Sequence, residues 1–237
     1  MDKPIRFPWN GFPDVLIHAS ELFVKRHSSY QQAKAGDVIA SISLVTESLS
    51  YEILDRLSRE YGPFSPVLLA VQAEESAGLN AIPRAMAETI AVILNWDIET
   101  HVLQKNVVGH TGASGFVRMA NQALFSGAVK SGLNYFLIDD FIGQGGTLAN
   151  LRGHILVQGA KVLGTSVLTG KPHSAKLALA NHQLDALRSK HGTIEFWWRQ
   201  RFGFGFDCLT ASEARYLIQT ATSERIVERL EEAGRGR

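Results

Sequence analysis

One cysteine stands among 237 residues. Cys208 thus has no partner for an internal disulfide, a cysteine-rich zinc site is excluded, and the count fits a reducing compartment. The residue itself reads as a small buried apolar side chain. An excess of one charge is also missing: 24 Lys and Arg face 23 Asp and Glu, a formal +1. Such a chain has no strong field to attract a polyphosphate backbone or an anionic membrane, so nucleic acid is not the expected partner. Long apolar runs are absent as well. Stretches such as 87–94 reach about half of the ~18 residues that a bilayer crossing needs, and Met1 to Pro8 lacks the basic start and apolar stretch of a signal peptide. A cytoplasmic protein without a membrane partner is the expectation. The eight histidines form no HExxH-type ligand pair, and there is no repeat or low-complexity tract. With 45% hydrophobic and 20% charged residues, one globular unit is expected.

The periodicity divides that unit into a helical N-terminal layer (1–62), an α/β core (63–170) and a helical, aromatic C-terminal layer (171–237). From Gly36 to Gly62 the apolar spacing is helical, with Asp37 as a cap. Val67 to Val71 is a short apolar run of the kind that becomes a strand buried on both faces. A helix follows with Pro83 in its first turn, Met86, Ile90, Ile93 and Leu94 on one face, and Asn95 at its end. Alternation from Ile98 to Leu103 predicts a second strand. Residues 104–127 lose clean periodicity and read as a long loop or hairpin. Tyr135 to Asp139 is a third strand, Leu148, Leu151 and Ile155 mark a helix, and Val162 to Leu168 is a fourth strand. This order predicts crossover units and a parallel sheet. In the last third, Leu177, Ala180, Leu184 and Leu187 form one stripe that Gly192 ends, and Thr210 with Glu213 forms a capping box. The aromatic cluster of Phe196, Trp197, Trp198, Phe202, Phe204 and Phe206 reads as packing against the sheet in preference to a base-stacking platform.

The chemistry is concentrated between Tyr135 and Thr147, YFLIDDFIGQGGT. An apolar strand delivers Asp139 and Asp140, and a glycine-rich turn leads directly into a helix, the place where open parallel sheets bind ligands. Gly143, Gly145 and Gly146 carry no Cβ to hold an anion away from the free amides of the helix start, and Thr147 adds a hydroxyl. No lysine follows Gly146, which excludes a P-loop and with it a Walker B reading of the acids. The third glycine of a dinucleotide fingerprint is replaced by Leu148, and the acids precede the turn instead of following it. Acids before a phosphate turn suit a sugar phosphate. Two adjacent carboxylates repel each other unless a cation or donor hydroxyls hold them.

This segment resembles the phosphoribosyl-pyrophosphate (PRPP) motif of type I phosphoribosyltransferases: four apolar residues, two acids, two variable positions and a glycine-rich turn ending in threonine. The resemblance extends over about 64–170 and looks nearest to the competence protein F (ComF)-like branch. Ala77-Gly78-Leu79-Asn80 is similar to that branch's step after the first core strand, and 111–129, with Arg118, Asn121 and Phe125, to its mobile loop. The family implies a parallel-sheet phosphoribosyltransferase-like α/β core. It also implies transfer of ribose 5-phosphate from PRPP to a nitrogenous acceptor, release of pyrophosphate, and magnesium as cofactor. By resemblance, Asp139 and Asp140 hold the ribose hydroxyls and meet magnesium through PRPP, and Gly143, Gln144, Gly145, Gly146 and Thr147 wrap the 5′-phosphate. Gln72, Ala73, Glu74, Glu75 and Ser76 form the pyrophosphate loop. Closure of the mobile loop 104–127 would exclude water. A dimer would be ordinary for such enzymes.

Two departures stand out. Gly143-Gln144 occupies positions where the family often has two threonines, and the pyrophosphate loop carries two acids and no base, so that Glu74 and Glu75 either face the metal or are solvated. These departures motivate a second reading, a PRPP-binding sensor or accessory protein without turnover; a competence-like nucleic-acid factor is a third. Lys105 and Arg118 are candidates to reach pyrophosphate from the mobile loop, against solvated loop charges. His110 is a candidate proton carrier. Lys171 and His173 follow the fourth strand and lie near an acceptor or in a plain polar loop.

Overall fold

A computed structural model describes residues 3–75, 78–108 and 113–235. In chain order the strands are β1 (Leu16–Ala19), β2 (Val67–Ala70), β3 (Glu74–Glu75), β4 (Gly78–Leu79), β5 (Asp97–Glu99), β6 (Leu103–Gln104), β7 (Phe125–Ser126), β8 (Asn134–Ile142) and β9 (Lys161–Gly170). The helices are α1 (Glu21–Arg26), α2 (Tyr30–Lys34), α3 (Val38–Ser48), α4 (Tyr51–Tyr61), α5 (Ile82–Leu94), α6 (Gly115–Ala120), α7 (Gly146–Leu156), α8 (Asn181–His191), α9 (Glu195–Phe202), α10 (Ala211–Gln219) and α11 (Ser223–Arg235). Five strands form one parallel sheet in the order β1-β9-β8-β2-β5. The fold is α/β with a parallel core, as the alternation of elements predicts.

Alternation along the central strands buries both faces of this sheet. Leu68, Phe136, Ile138 and Leu168 pack with Leu44, Leu57, Met86 and Ile90 from α3, α4 and α5. Leu69, Tyr135, Leu137 and Val167 pack on the opposite face with Leu148, Leu151 and Ile155 of α7. Each fully buried aliphatic side chain here contributes roughly 1.5–3 kcal/mol.

Local signals hold at most helix ends. Asp37 accepts from Ala40 N at 2.9 Å, Asn95 ends α5 with φ of 54°, and the Thr210–Glu213 capping box is formed. Several elements differ from expectation. The helical stretch from Gly36 to Gly62 is two helices, because Leu49 is extended and Ser50 starts α4 by accepting from Ile53 N. The N-terminal segment is not only helical, since β1 joins the sheet edge beside β9. Four residues interrupted by His18 show no periodicity, and their partner lies 150 residues away. The second strand stops at Glu99, whose carboxylate accepts from His101 N at 2.8 Å and turns the chain. The stretch 104–127, expected as a long loop or hairpin, does close as an antiparallel pair of β6 and β7, and what differs is that α6 lies between them. The aromatic cluster does not pack on the sheet. Trp198, Phe202, Phe204 and Phe206 form a separate core with α6, α10 and α11, with Trp198 and Phe202 ring centroids 4.4 Å apart. Cys208 is buried there, its thiol pushed up to about 11 by burial and by Asp207.

Candidate functional site

The central strand β8 does not end at Asp139. Phe141 and Ile142 continue the ladder opposite Thr169 and Gly170, so both acids sit inside the strand. Period-two alternation then sends them to opposite faces. Asp140 shares a side with Phe136 and Ile138 and meets Lys34 of α2, Oδ2 to Nζ 3.0 Å. Asp139 is 8% exposed, and one of its oxygens accepts from Asp140 N at 2.8 Å. Burial and then the Asp140 charge push its carboxyl well above the ordinary 3.8, with Lys34 acting in the opposite sense.

The turn follows at once. Gly145 caps α7 with φ of 80° and offers no side chain to the first-turn amides. Those amides, with the positive end of the helix dipole, form an anion cradle. A Cβ at Gly145 would collide with Leu177 Cδ2. The turn is fixed from outside, as Thr210 Oγ1 donates to Gln144 O at 2.6 Å. Behind it lies a buried network. Arg6 donates to Glu213 at 2.7 and 3.1 Å, to Asn150 Oδ1 at 2.6 Å and to Gln122 Oε1 at 3.0 Å. Asn150 in turn donates to Gln122 Oε1 and Ala123 O. One guanidinium thereby joins the N-terminal segment, α7, the 104–127 stretch and α10.

These groups open onto a cleft of about 780 Å³. Asp139, Asp140, Gly143, Gln144, Gly145, Gly146 and Thr147 all line it, so the carboxylates and the phosphate turn predicted from the sequence share one concavity. Arg118 joins them: a Cβ on Gly143 would stand 2.5 Å from its Nη1, and burial lowers its pKa. Lys171 and His173 are also in the wall. Of the pyrophosphate loop, Ala73 lines the cleft, whereas the Gln72 amide turns away to donate to Thr100 O at 3.3 Å. Glu74 and Glu75 form β3, paired with β4. Lys105 is absent from the described lining and bonds through its backbone to Leu124 O. Ser76 and His110 lie outside the described residues.

Sequence reasoning missed most of the cations. Lys25 and Lys34 reach the cleft from α1 and α2, Arg6 from the N-terminal segment, and Arg215 and Tyr216 from α10. None carries a local signal, because each is one charged or aromatic residue on an ordinary amphipathic or irregular stretch. Among the described residues, neither Arg118 nor Arg215 makes an ion pair; Arg118 Nε donates to Ala113 O and Arg215 Nη2 to Ser212 Oγ.

Among the described residues no group of three or more His, Cys, Asp or Glu is placed to hold a metal ion. Two adjacent carboxylates still suit magnesium, which takes one or two of them and completes its shell with water and ligand phosphate oxygens. Burial first, and then the Asp140 charge, raise the Asp139 carboxyl, and a cation beside the pair would offset both. The donor set therefore fits a metal carried in by a polyphosphate ligand.

No family model matches the chain. The Escherichia coli protein TraN is 35% identical over 226 residues, 95% of this chain and 50% of that protein. An uncharacterized protein of Haemophilus influenzae is 30% identical over 155 residues, 65% of this chain and 35% of its own length. The chain thus spans half or less of the curated relatives it matches. Solved structures with a similar chain course include an adenine phosphoribosyltransferase, 15% identical with a TM-score of 0.37 over 64% of this chain and 75% of that one. Another is the Leishmania donovani UMP synthase, 15% identical with a TM-score of 0.35 over 76% of this chain and 33% of that one. No helix among the described residues is long and apolar enough to cross a membrane.

Proposed function

We propose that the chain is a magnesium-dependent phosphoribosyltransferase, transferring ribose 5-phosphate from PRPP to a nitrogenous acceptor with release of pyrophosphate. One observation carries the reading: adjacent carboxylates on the central strand run directly into a helix N-terminus capped only by glycine, on the floor of a cleft walled by cations. The α7 amides and the Thr147 hydroxyl bind the 5′-phosphate. Asp139 and Asp140 accept from the ribose hydroxyls and orient the anomeric carbon. Arg118, beside Gly143, supplies positive charge at the cleft mouth and helps exclude water. Magnesium, bound through PRPP oxygens, would stabilise the charge that develops on the departing pyrophosphate. The acceptor enters along α10, where Tyr216 offers an aromatic face and Arg215 a cation.

Calorimetric titration of PRPP with magnesium, on wild type and on the double variant Asp139→Asn, Asp140→Asn, tests this. Binding that needs both the metal and the carboxylates is expected; a wild type that does not bind ends the reading. The Lys34–Asp140 ion pair, which already neutralises one carboxylate, favours a second reading, a PRPP sensor without turnover. A pyrophosphate-release screen over bases separates the two, because one productive acceptor eliminates the sensor.

A further inference from the structure

The loop after β2 carries acids where a diphosphate needs a base, and the structure brings a cation there from another element. The carboxyl end of α2 docks on the chain that follows that loop: Ala81 N donates to Ala33 O at 3.4 Å. Gly36, with φ of 100°, lets the backbone pass so closely that a Cβ would stand 2.9 Å from Leu79 O. Lys34 lies between these two anchors. Its side chain, 16% exposed, crosses to Asp140, 13% exposed, and both line the cleft together with Ala73 and Asn80. Asn80 is itself fixed, since its Oδ1 accepts from Ile82 N at 3.2 Å at the start of α5. The ammonium is thus held at Asp140, in the cleft that Ala73 and Asn80 of the chain after β2 also line.

We infer that Lys34 is the diphosphate-binding cation of this cleft, paired with Asp140 and transferred to the diphosphate oxygens when a ligand bearing them arrives. The inference rests on the proposed sugar-phosphate site. A lysine suits the exchange, as three donors on a flexible stem bind phosphate as a point charge. The transfer also frees Asp140 to accept from a ribose hydroxyl, so that arrival of the diphosphate prepares the neighbouring subsite. The bare loop then needs no base of its own.

The full 237-residue chain, as wild type, Lys34→Gln and Lys34→Arg, is titrated calorimetrically with two probes, inorganic pyrophosphate with magnesium and ribose 5-phosphate. Lys34→Gln is expected to weaken pyrophosphate binding by about 10- to 100-fold, the loss of one charge-assisted contact. Ribose 5-phosphate should bind Lys34→Gln as tightly as wild type or more tightly, since Asp140 is then released from its ion pair, and Lys34→Arg should recover much of the pyrophosphate affinity. Equal losses for both probes would make Lys34 a structural tie only, and unchanged pyrophosphate binding would remove it from the site. Either result overturns the inference, as does a wild type that binds ribose 5-phosphate but not pyrophosphate. A wild type that binds neither probe overturns the sugar-phosphate reading itself. Melting curves of the three proteins identify any variant that fails to fold; Lys34→Arg then decides alone, by keeping or losing the preference for pyrophosphate.

Discussion

Under the proposed function, Asp139 sits where binding and stability oppose each other. Its carboxyl is raised well above 3.8, first by burial and then by Asp140. Between 3.8 and that raised value the folded chain keeps a proton that the unfolded chain has lost, so stability falls as pH rises through the window. Asp139→Asn should remove this slope, melting above wild type at pH 8 without ligand and close to it at pH 4, while PRPP binding is lost. A variant that melts below wild type at pH 8 would show that the buried charge is compensated. Gly145 presents the converse case, because a methyl there meets both the φ of 80° and Leu177. Gly145→Ala is expected to cost about 1–3 kcal/mol in urea denaturation and to abolish ribose 5-phosphate binding. Affinity equal to wild type would mean that the anion does not use this turn.

At the scale of elements, His18 ties β1 to α4. Its Nδ1 accepts from Ser50 N at 3.0 Å, at the residue that caps α4. Burial lowers the ring's pKa from 6.5 to about 4. A depressed histidine contributes stability that is complete above 6.5 and is lost as pH falls toward 4, because the unfolded chain takes up the proton first. Melting temperature should therefore drop over that interval. His18→Asn, whose Oδ1 can replace Nδ1 as acceptor, should flatten the drop; a variant with the same acid limb as wild type would assign it to other groups. This tie also shows why the edge strand was illegible. Leu16 to Ala19 has too few residues to show a period, and its ladder partner is β9, 150 residues further along the chain.

On the scale of the molecule, three cores among the described residues, one on each sheet face and one in the C-terminal helices, are joined by polar groups as well as by apolar contact. Arg6 and Glu213 are the central pair, with side chains 1% and 3% exposed. Breaking such a pair leaves an uncompensated buried charge and costs about 3–5 kcal/mol. Glu213→Ala is expected to show that loss in denaturant unfolding, Glu213→Gln a smaller one, and both to weaken ribose 5-phosphate binding because the Arg6 guanidinium also donates to Gly146 O. A loss below about 1 kcal/mol for Glu213→Ala would show that water replaces the carboxylate. Fluorescence of a Trp9→Phe, Trp96→Phe, Trp197→Phe variant, which keeps Trp198 alone of the four tryptophans, and circular dichroism should report one transition; two would mean that the C-terminal core unfolds independently of the sheet.

The sequence by itself determined whatever is local. The helix caps at Asp37 and Thr210 are formed, the apolar runs became the sheet, and the strand, acids, glycines and helix from Tyr135 onward came out as one strand-turn-helix unit. In these places backbone conformation is fixed by residues within a few positions of each other, so composition and period suffice. Tertiary structure alone decided which charges meet that unit. Lys34 and Asp140 are 106 residues apart and Arg6 and Glu213 are 207 apart, and no periodicity links positions so distant. It also decided that the aromatic residues form their own core instead of covering the sheet, since burial of a ring needs an apolar neighbour but leaves open which one. The glycine turn was legible because its conformation lies in consecutive residues. The cations around it were not, because a lysine on a helix face acquires a role only when folding places an anion opposite it.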